Sequence, residues 1–452
     1  MNKLKSLKEN KIFWAALAVF IWPFIYMYQY TIAGLPNTIA FNVDIMFFYY
    51  AKTYLLDAFS HFEFPLWSNV ESGGFPFFSS PFNQSLYPLN ILLALYYKVA
   101  GGFSRINYQQ LSVLGIALLS VNLLGWLRSL KINLRAAVFA IVIMALSFKV
   151  TEVANRYQAT HAIAWMVMVM WGMTLSLYPK QQSIIKGVWL IAIGMFMLLT
   201  CAYPYYIYYG IFLFGMYFLL LVYPKTSNVL TKNSQPVQLI PYLRTLILSF
   251  GVPVIVCLPY LYKLSQLKTV TNSRDATDIT YANDVPFTLF DTVTSLVFPA
   301  YSNTFGCYFF GFVALFIIVL YVLNIKFKLV AVKNDKIILG ITIGVTLIMY
   351  LITNGGLIFK LFWKMFPGFA NFRTWSRANI ILLPFWTFLL ANAYVFFEQL
   401  LTKNINQDNS KQQSVVNFIK VFAGIYVVVL LIQLLLFFLI DPNSFEGYRE
   451  YH

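Results

Sequence analysis

Residues 89–99, "LNILLALYYKV", decide how the chain is threaded. The stretch is greasy but short. An α-helix rises about 1.5 Å per residue and a hydrocarbon core is about 30 Å thick, so a span needs about twenty residues. Read as a juxtamembrane or re-entrant piece that does not cross, 89–99 leaves eleven expected spans. They lie near 12–33, 108–128, 134–150, 159–178, 184–201, 205–223, 240–262, 305–324, 336–353, 377–398 and 416–440. The basic residues of alternate loops then fall on one face: Lys3, Lys5, Lys8 and Lys11; Arg128, Lys131 and Arg135; Lys180 and Lys186; Lys225, Lys232 and Arg244; Lys326, Lys328, Lys333 and Lys336; Lys403, Lys411 and Lys420. That face holds 19 basic residues against four acids, the other 13 against 12. Counting 89–99 as a span scatters the basic loops to both sides, against the Lys/Arg excess of cytoplasmic loops.

The composition agrees with a polytopic membrane protein. Of 452 residues 60% are hydrophobic and 11% charged, less than half the charged share of an ordinary soluble domain. The net charge of +16 follows from the one-sided loops, so it does not call for nucleic acid. The first apolar run is too long for a cleaved signal peptide and has no small-residue cleavage site. The expected fold is all-α: one integral membrane bundle over 1–452, with its amino terminus cytoplasmic. The large non-membrane segments, 34–107, 263–304, 354–376 and the tail 441–452, fall on the outer face and hold most of the acids. Chemistry is therefore expected there. Cys201, Cys257 and Cys307 have no metal-ligand spacing and read as small buried hydrophobes.

The first outer segment contains "FPLWSNVESGGFPFFSSPFNQSLYPLN", residues 64–90. It has too many aromatics for a linker and too many Pro, Gly, Ser and Asn for a span. Gly73, Gly74 and the prolines favour tight turns. Phe75, Phe77, Phe78, Phe82 and Tyr87 are expected to anchor the loop at the interface. The sequon at Asn83 is a weak signal.

Three places carry residues suited to chemistry. In "IAFNVDIMFFYYAKTYLLDAF" (39–59), Asp44 lies close to a membrane exit, where an acid is costly unless it has a task or a partner. It reads as a catalytic acid or base, or as a helix cap. The residues after it read as an interfacial amphipathic helix with Lys52 and Asp57 on the polar side. In "SFKVTEVANRYQATHAIAW" (147–165), Glu152, Arg156 and His161 share a short outer turn, as a site or as a local i,i+4 ion pair beside a histidine. In "FPGFANFRTWSRANIILLPFW" (366–386), Arg373 and Arg377 stand four apart at a span entrance with Thr374 and Ser376 as caps. Two guanidinium forks at a helix amino end suit phosphate oxygens; the alternative is snorkelling to lipid headgroups. Three histidines and no HExxH leave no dedicated zinc motif, and Walker, GxGxxG, GxSxG and CxxC patterns are absent.

Taken in order, Asp44, the "FPLW…GGFPFF…FNQSLYPLN" run, "YQATHAIAW" and "FPGFANFRTWSRA" resemble the GT-C superfamily of membrane glycosyltransferases, and more narrowly the YfhO-like bacterial membrane proteins. The resemblance implies a bundle whose first outer loop forms short helices over a cavity at the outer face of the bacterial plasma membrane. It implies transfer of a sugar from a polyprenyl-phosphate donor to a hydroxyl of a glycan, teichoic-acid-type polymer or glycolipid, with inversion. Asp44 would be the general base, and Arg373 and Arg377 would hold the departing phosphate. Glu152 matches a second acid of the superfamily that holds an acceptor hydroxyl or a divalent cation such as Mg2+ or Mn2+. Gln84, Asn90, Arg156 and His161 would bind substrate. The rival readings are a transporter or flippase of lipid-linked saccharides, for which paired half-helices or an internal repeat are missing, and a scaffold within the cell envelope.

Overall fold

The computed structural model describes residues 10–31, 43–69, 74–80, 82–178 without 151–155, 180–201, 203–232, 237–270, 279–283, 311–328, 330, 334–372 and 375–402, with four single positions beyond. Among them the chain is helical, and its one β-pairing is the isolated bridge between Ser68 and Phe75. Among the described residues six helices are long and apolar enough to cross a membrane: Arg105–Ser129, Gln181–Cys201, Pro204–Val222, Leu239–Gln266, Asp335–Thr353 and Trp375–Leu401.

In chain order, α1 is Lys11–Tyr26, α2 Val43–Ser60, α3 Leu89–Ala100, α4 Arg105–Ser129, α5 Leu134–Leu146, α6 Tyr157–Leu175 and α7 Gln181–Cys201. Then follow α8 Pro204–Val222, α9 Pro224–Thr231, α10 Leu239–Val270, α11 Gly311–Phe327, α12 Asp335–Thr353, α13 Leu357–Met365 and α14 Leu383–Thr402. Helix starts follow capping rules. Asn10 accepts from the Ile12 and Phe13 amides to open α1, Ser104 and Asn107 form a capping box for α4, and Asn133 caps α5.

α6 lies at the centre, between α4 and α7, and nearly all of its residues are buried. Lipid tails are as apolar as leucine, so helices in a membrane associate by close packing and polar contacts rather than by hiding from water. Both occur here. Gly172 of α6 meets Gly187 of α7, where a Cβ on either would stand 2.7 Å from the other's carbonyl oxygen. The Trp126 Nε1–H donates to the Tyr217 hydroxyl at 2.8 Å, Thr174 bonds the same hydroxyl at 2.6 Å, and the Asn122 amide donates to the Ala164 carbonyl at 2.8 Å. The outer faces of α1 and α10 expose Ile12, Trp14, Ile21, Ile247, Val252 and Ile255, a surface suited to lipid.

Over one end of the bundle lies a roof made of α2, the loop 61–88 and α3. At 12 residues α3 is about 18 Å long, shorter than a hydrocarbon core, as are α1 and α5. It buries Asn90 and Ala94 and exposes Ile91, Leu92, Leu95 and Val99. In the loop, Ser68 and Phe75 exchange two backbone hydrogen bonds of 2.8 Å. Gly74 takes φ +125° under the Trp67 ring, where a Cβ would meet Trp67 at 2.6 Å, so no other residue fits.

Two expectations for this region are corrected. Lys52 is not on a solvated face of an interfacial helix; it is 1% exposed, because loop and bundle cover α2 on more than one side. Tyr87 is not an interfacial anchor but is buried among the helices.

The entrance of the last described span also departs from expectation. Trp375–Leu382 is a 3-10 helix running directly into α14. Pro384 follows at once, and its ring and missing N–H oppose α geometry at the preceding turn. Arg377 lies in this segment, and Arg373 is outside the described residues.

Candidate functional site

The amino ends of α4, α6, α8 and the Trp375–Leu382 segment gather beneath the roof. Tyr108 near the start of α4 meets Tyr157 at the start of α6, with ring centroids 5.5 Å apart. Tyr209 of α8 meets Trp375 at 5.4 Å, and the Arg377 guanidinium lies 5.6 Å from the Tyr205 ring centroid. Each helix amino end carries partial positive charge from its free N–H groups. Arg156, at the N-cap position of α6, and Arg377 add two full charges, and the fields of both reach the Tyr206 hydroxyl. Arg156 also acts on Tyr203, and Arg377 on Tyr209. Among the described residues, these helix ends and the two guanidinium groups give this end of the bundle positive charge.

The roof is fastened to it by a chain of buried polar contacts. The Lys52 Nζ of α2 donates to Asn90 Oδ1 at 2.8 Å and sits 4.8 Å from the Tyr157 ring centroid. Burial pushes the Lys52 pKa down to about 7, a fall partly offset by the Cys201 thiol. Asn90 in turn donates from Nδ2 to the Gln84 carbonyl at 2.7 Å. Gln84 has φ +49°, a left-handed conformation rarely taken by a residue with its side chain, and both atoms of its buried amide lack a hydrogen bond. Tyr87 reaches into the bundle, where its hydroxyl donates to His161 Nδ1 at 2.6 Å. The Leu111 carbonyl, 2.8 Å from His161 Nε2, can only accept, so that nitrogen carries the proton and the ring is neutral. The Trp165 Nε1–H completes the group, donating to the Tyr87 oxygen at 3.1 Å.

The expected site residues fall into three groups. Arg156 and Arg377 lie near enough to Tyr206 that the charge of each acts on it. Asn90 and His161 spend their hydrogen-bonding atoms on the protein, which gives them a structural task in this arrangement, while the amide of Gln84 keeps its own uncommitted. Glu152, Arg373 and the side chain of Asp44 lie outside the described residues. The backbone of Asp44 is in the first turn of α2, four residues before Phe48 and eight before Lys52, on one helical stripe. Phe48 packs against Tyr203, with centroids 5.6 Å apart, and against Phe82 at 5.9 Å. The turn holding Asp44 therefore adjoins the turn that touches α8. Asn83, Gln84 and Ser85 are buried, which keeps the sequon from glycosylation in the folded protein.

Sequence reasoning singled out nothing in "YPYYIYYG", residues 203–210, beyond the start of an expected span. In the fold Tyr203, Tyr206 and Tyr209, spaced three apart, line the inner face of α8 and are buried. The signal was that spacing together with Pro204 at the first helical position, which marks a helix amino end. Also unnoticed was Asn379, three residues after the expected cap Ser376 on the 3-10 segment; the buried side-chain polar atoms of both lack hydrogen-bond partners.

Among the described residues no three His, Cys, Asp or Glu side chains gather to hold a metal ion. A divalent cation of the kind expected with Glu152 would rely on acids beyond that set. No protein-family model and no curated protein matches this chain.

Proposed function

We propose that the protein is a glycosyltransferase of GT-C type, moving a sugar from a polyprenyl-phosphate donor to an acceptor hydroxyl at the outer face of a bacterial plasma membrane. In this reading the bundle has eleven spans and the roof lies outside. The Asp44 carboxylate takes the proton of the acceptor hydroxyl as that oxygen attacks the anomeric carbon. The bond from this carbon to the phosphate oxygen breaks, its electron pair leaves with the phosphate, and the configuration inverts. Arg377, with Arg373, offsets the charge that grows on the departing lipid phosphate.

One observation carries the reading. The amino ends of α6 and α8 and the arginines beside them lie under the helix whose first turn contains Asp44, and this supports an anion site near that turn. A mostly apolar pocket of about 370 Å³ between α1, α3 and α4, lined by Phe24, Leu93, Phe103 and Leu114, offers room for part of a lipid chain beside the roof.

The test is transfer by the purified full-length protein in detergent, supplied with polyprenyl-phosphate sugars and envelope glycans as acceptors, with no membrane gradient. Consumption of donor is expected in the wild type and is abolished by Asp44→Asn, while Arg377→Gln weakens donor use most at low donor concentration. Full turnover in Asp44→Asn removes that residue from the chemistry. Lipid-linked sugar that crosses a bilayer without being consumed would favour the transporter reading instead.

A further inference from the structure

The hydroxyls of Tyr203 and Tyr209 are buried and make no hydrogen bond. A buried hydroxyl left without a partner costs about 1–3 kcal/mol, and phenylalanine would fill the same space without that cost. Two such groups flank Tyr206 on one face of α8, and the four rings of Tyr203, Tyr205, Tyr206 and Tyr209 lie 4.6 to 6.4 Å apart between neighbouring centroids. The place they occupy is the amino end of a 19-residue helix that no side chain caps. The charges of Arg156 and Arg377 both act on the middle tyrosine, and the Arg377 guanidinium lies 5.6 Å from the Tyr205 ring centroid. Donors without acceptors, two cations and an uncapped helix start share one complement: a group of several negatively charged oxygens.

We propose that Tyr203, Tyr206 and Tyr209 are ligand-binding residues whose hydroxyls donate to the phosphate oxygens of a lipid-linked phosphate, alongside Arg156 and Arg377. This rests on the reading that the donor is a lipid phosphate, and it adds to that reading three neutral donors along α8. Neutral donors hold the anion without further charge to desolvate, which matters at a buried position. A phosphoryl group bound this way sits under the α2 turn that adjoins Tyr203.

The experiment uses the purified full-length protein in detergent and three probes: farnesyl phosphate, farnesol and inorganic phosphate. Binding is read by the shift in melting temperature and by tryptophan fluorescence. Farnesyl phosphate is expected to stabilise the wild type well beyond farnesol or inorganic phosphate. The triple variant Tyr203→Phe, Tyr206→Phe, Tyr209→Phe should melt no lower than the wild type yet need at least ten-fold more farnesyl phosphate for half-maximal effect. If the triple variant does not fold, the single variants Tyr203→Phe and Tyr209→Phe carry the test, each with a several-fold loss.

Unchanged farnesyl phosphate binding in the folded variants overturns the proposal, as does a wild type that ignores this probe. Equal stabilisation by farnesol overturns the anion assignment, and equal stabilisation by inorganic phosphate overturns the lipid source. Sugar transfer is measured separately. Tyrosine-dependent binding without transfer sinks the transferase reading alone; transfer with undiminished binding in the phenylalanine variants sinks this proposal alone.

Discussion

Replacing Lys52 with methionine should alter how stability responds to pH. The amine is enclosed by Asn90 of α3, Tyr157 of α6 and Cys201 of α7, with the neutral His161 close enough to feel its charge. Above about pH 10.5 it is neutral in both folded and unfolded chains. As the pH falls below that, the unfolded chain takes up the proton first, so the folded state loses ground until about pH 7; below this both states carry the charge. Stability should therefore rise from pH 7 to pH 10 on this account. The fall from 10.5 to about 7 is worth roughly 5 kcal/mol across the whole window, with a slope of at most about 1.4 kcal/mol per pH unit.

Lys52→Met also leaves Asn90 Oδ1 without its donor, at a cost of about 1–3 kcal/mol. That cost does not depend on pH, so it shifts the curve without tilting it. The assay is thermal unfolding in detergent between pH 6 and pH 10, wild type against variant. Every other titrating group is common to both chains, so the difference curve isolates Lys52. The variant should gain on the wild type by several kcal/mol as pH falls from 10 to 7. Parallel curves would refute the buried-lysine assignment.

Other perturbations probe the scaffold. Tyr87→Phe strips the hydroxyl shared by His161 and Trp165, leaving two buried polar groups unpaired; a loss of about 2–4 kcal/mol is expected in thermal unfolding, with a change in tryptophan emission. Gly187→Val drives a side chain into the Gly172 carbonyl and should separate α6 from α7, lowering the melting temperature by the equivalent of about 1–3 kcal/mol. Gly74→Val meets both a positive φ and the Trp67 ring, so proteolysis within 61–88 should quicken while the bundle stays folded. Asn90→Leu should loosen the Gln84 turn, seen as faster amide exchange over 84–90.

The helical membrane class was legible because apolar runs and basic loops are properties of single segments. The short apolar helix at 89–99 was legible for the same reason. Lys52 was misread because the periodicity of one helix reports which faces differ, not how many are covered. Tyr87 and His161 lie 74 residues apart, and nothing local to either announces that they meet. Arg377 stood out as a charge on the expected outer face, whereas the tyrosines of 203–210 were hidden by their likeness to any interfacial belt. Only their burial and the missing partners of two hydroxyls set them apart.

The fastening of Tyr87 into the helices has a bearing on traffic. A cap moored by a side chain sunk between α4 and α6 does not swing open like a hinged flap without breaking the two buried hydrogen bonds of the Tyr87 hydroxyl. On the proposed function, a molecule that reaches the arginines with the cap in place would arrive sideways, past the apolar flank of α3. For a guest with a long hydrocarbon tail, that route lets the tail stay in oil while only the head leaves it.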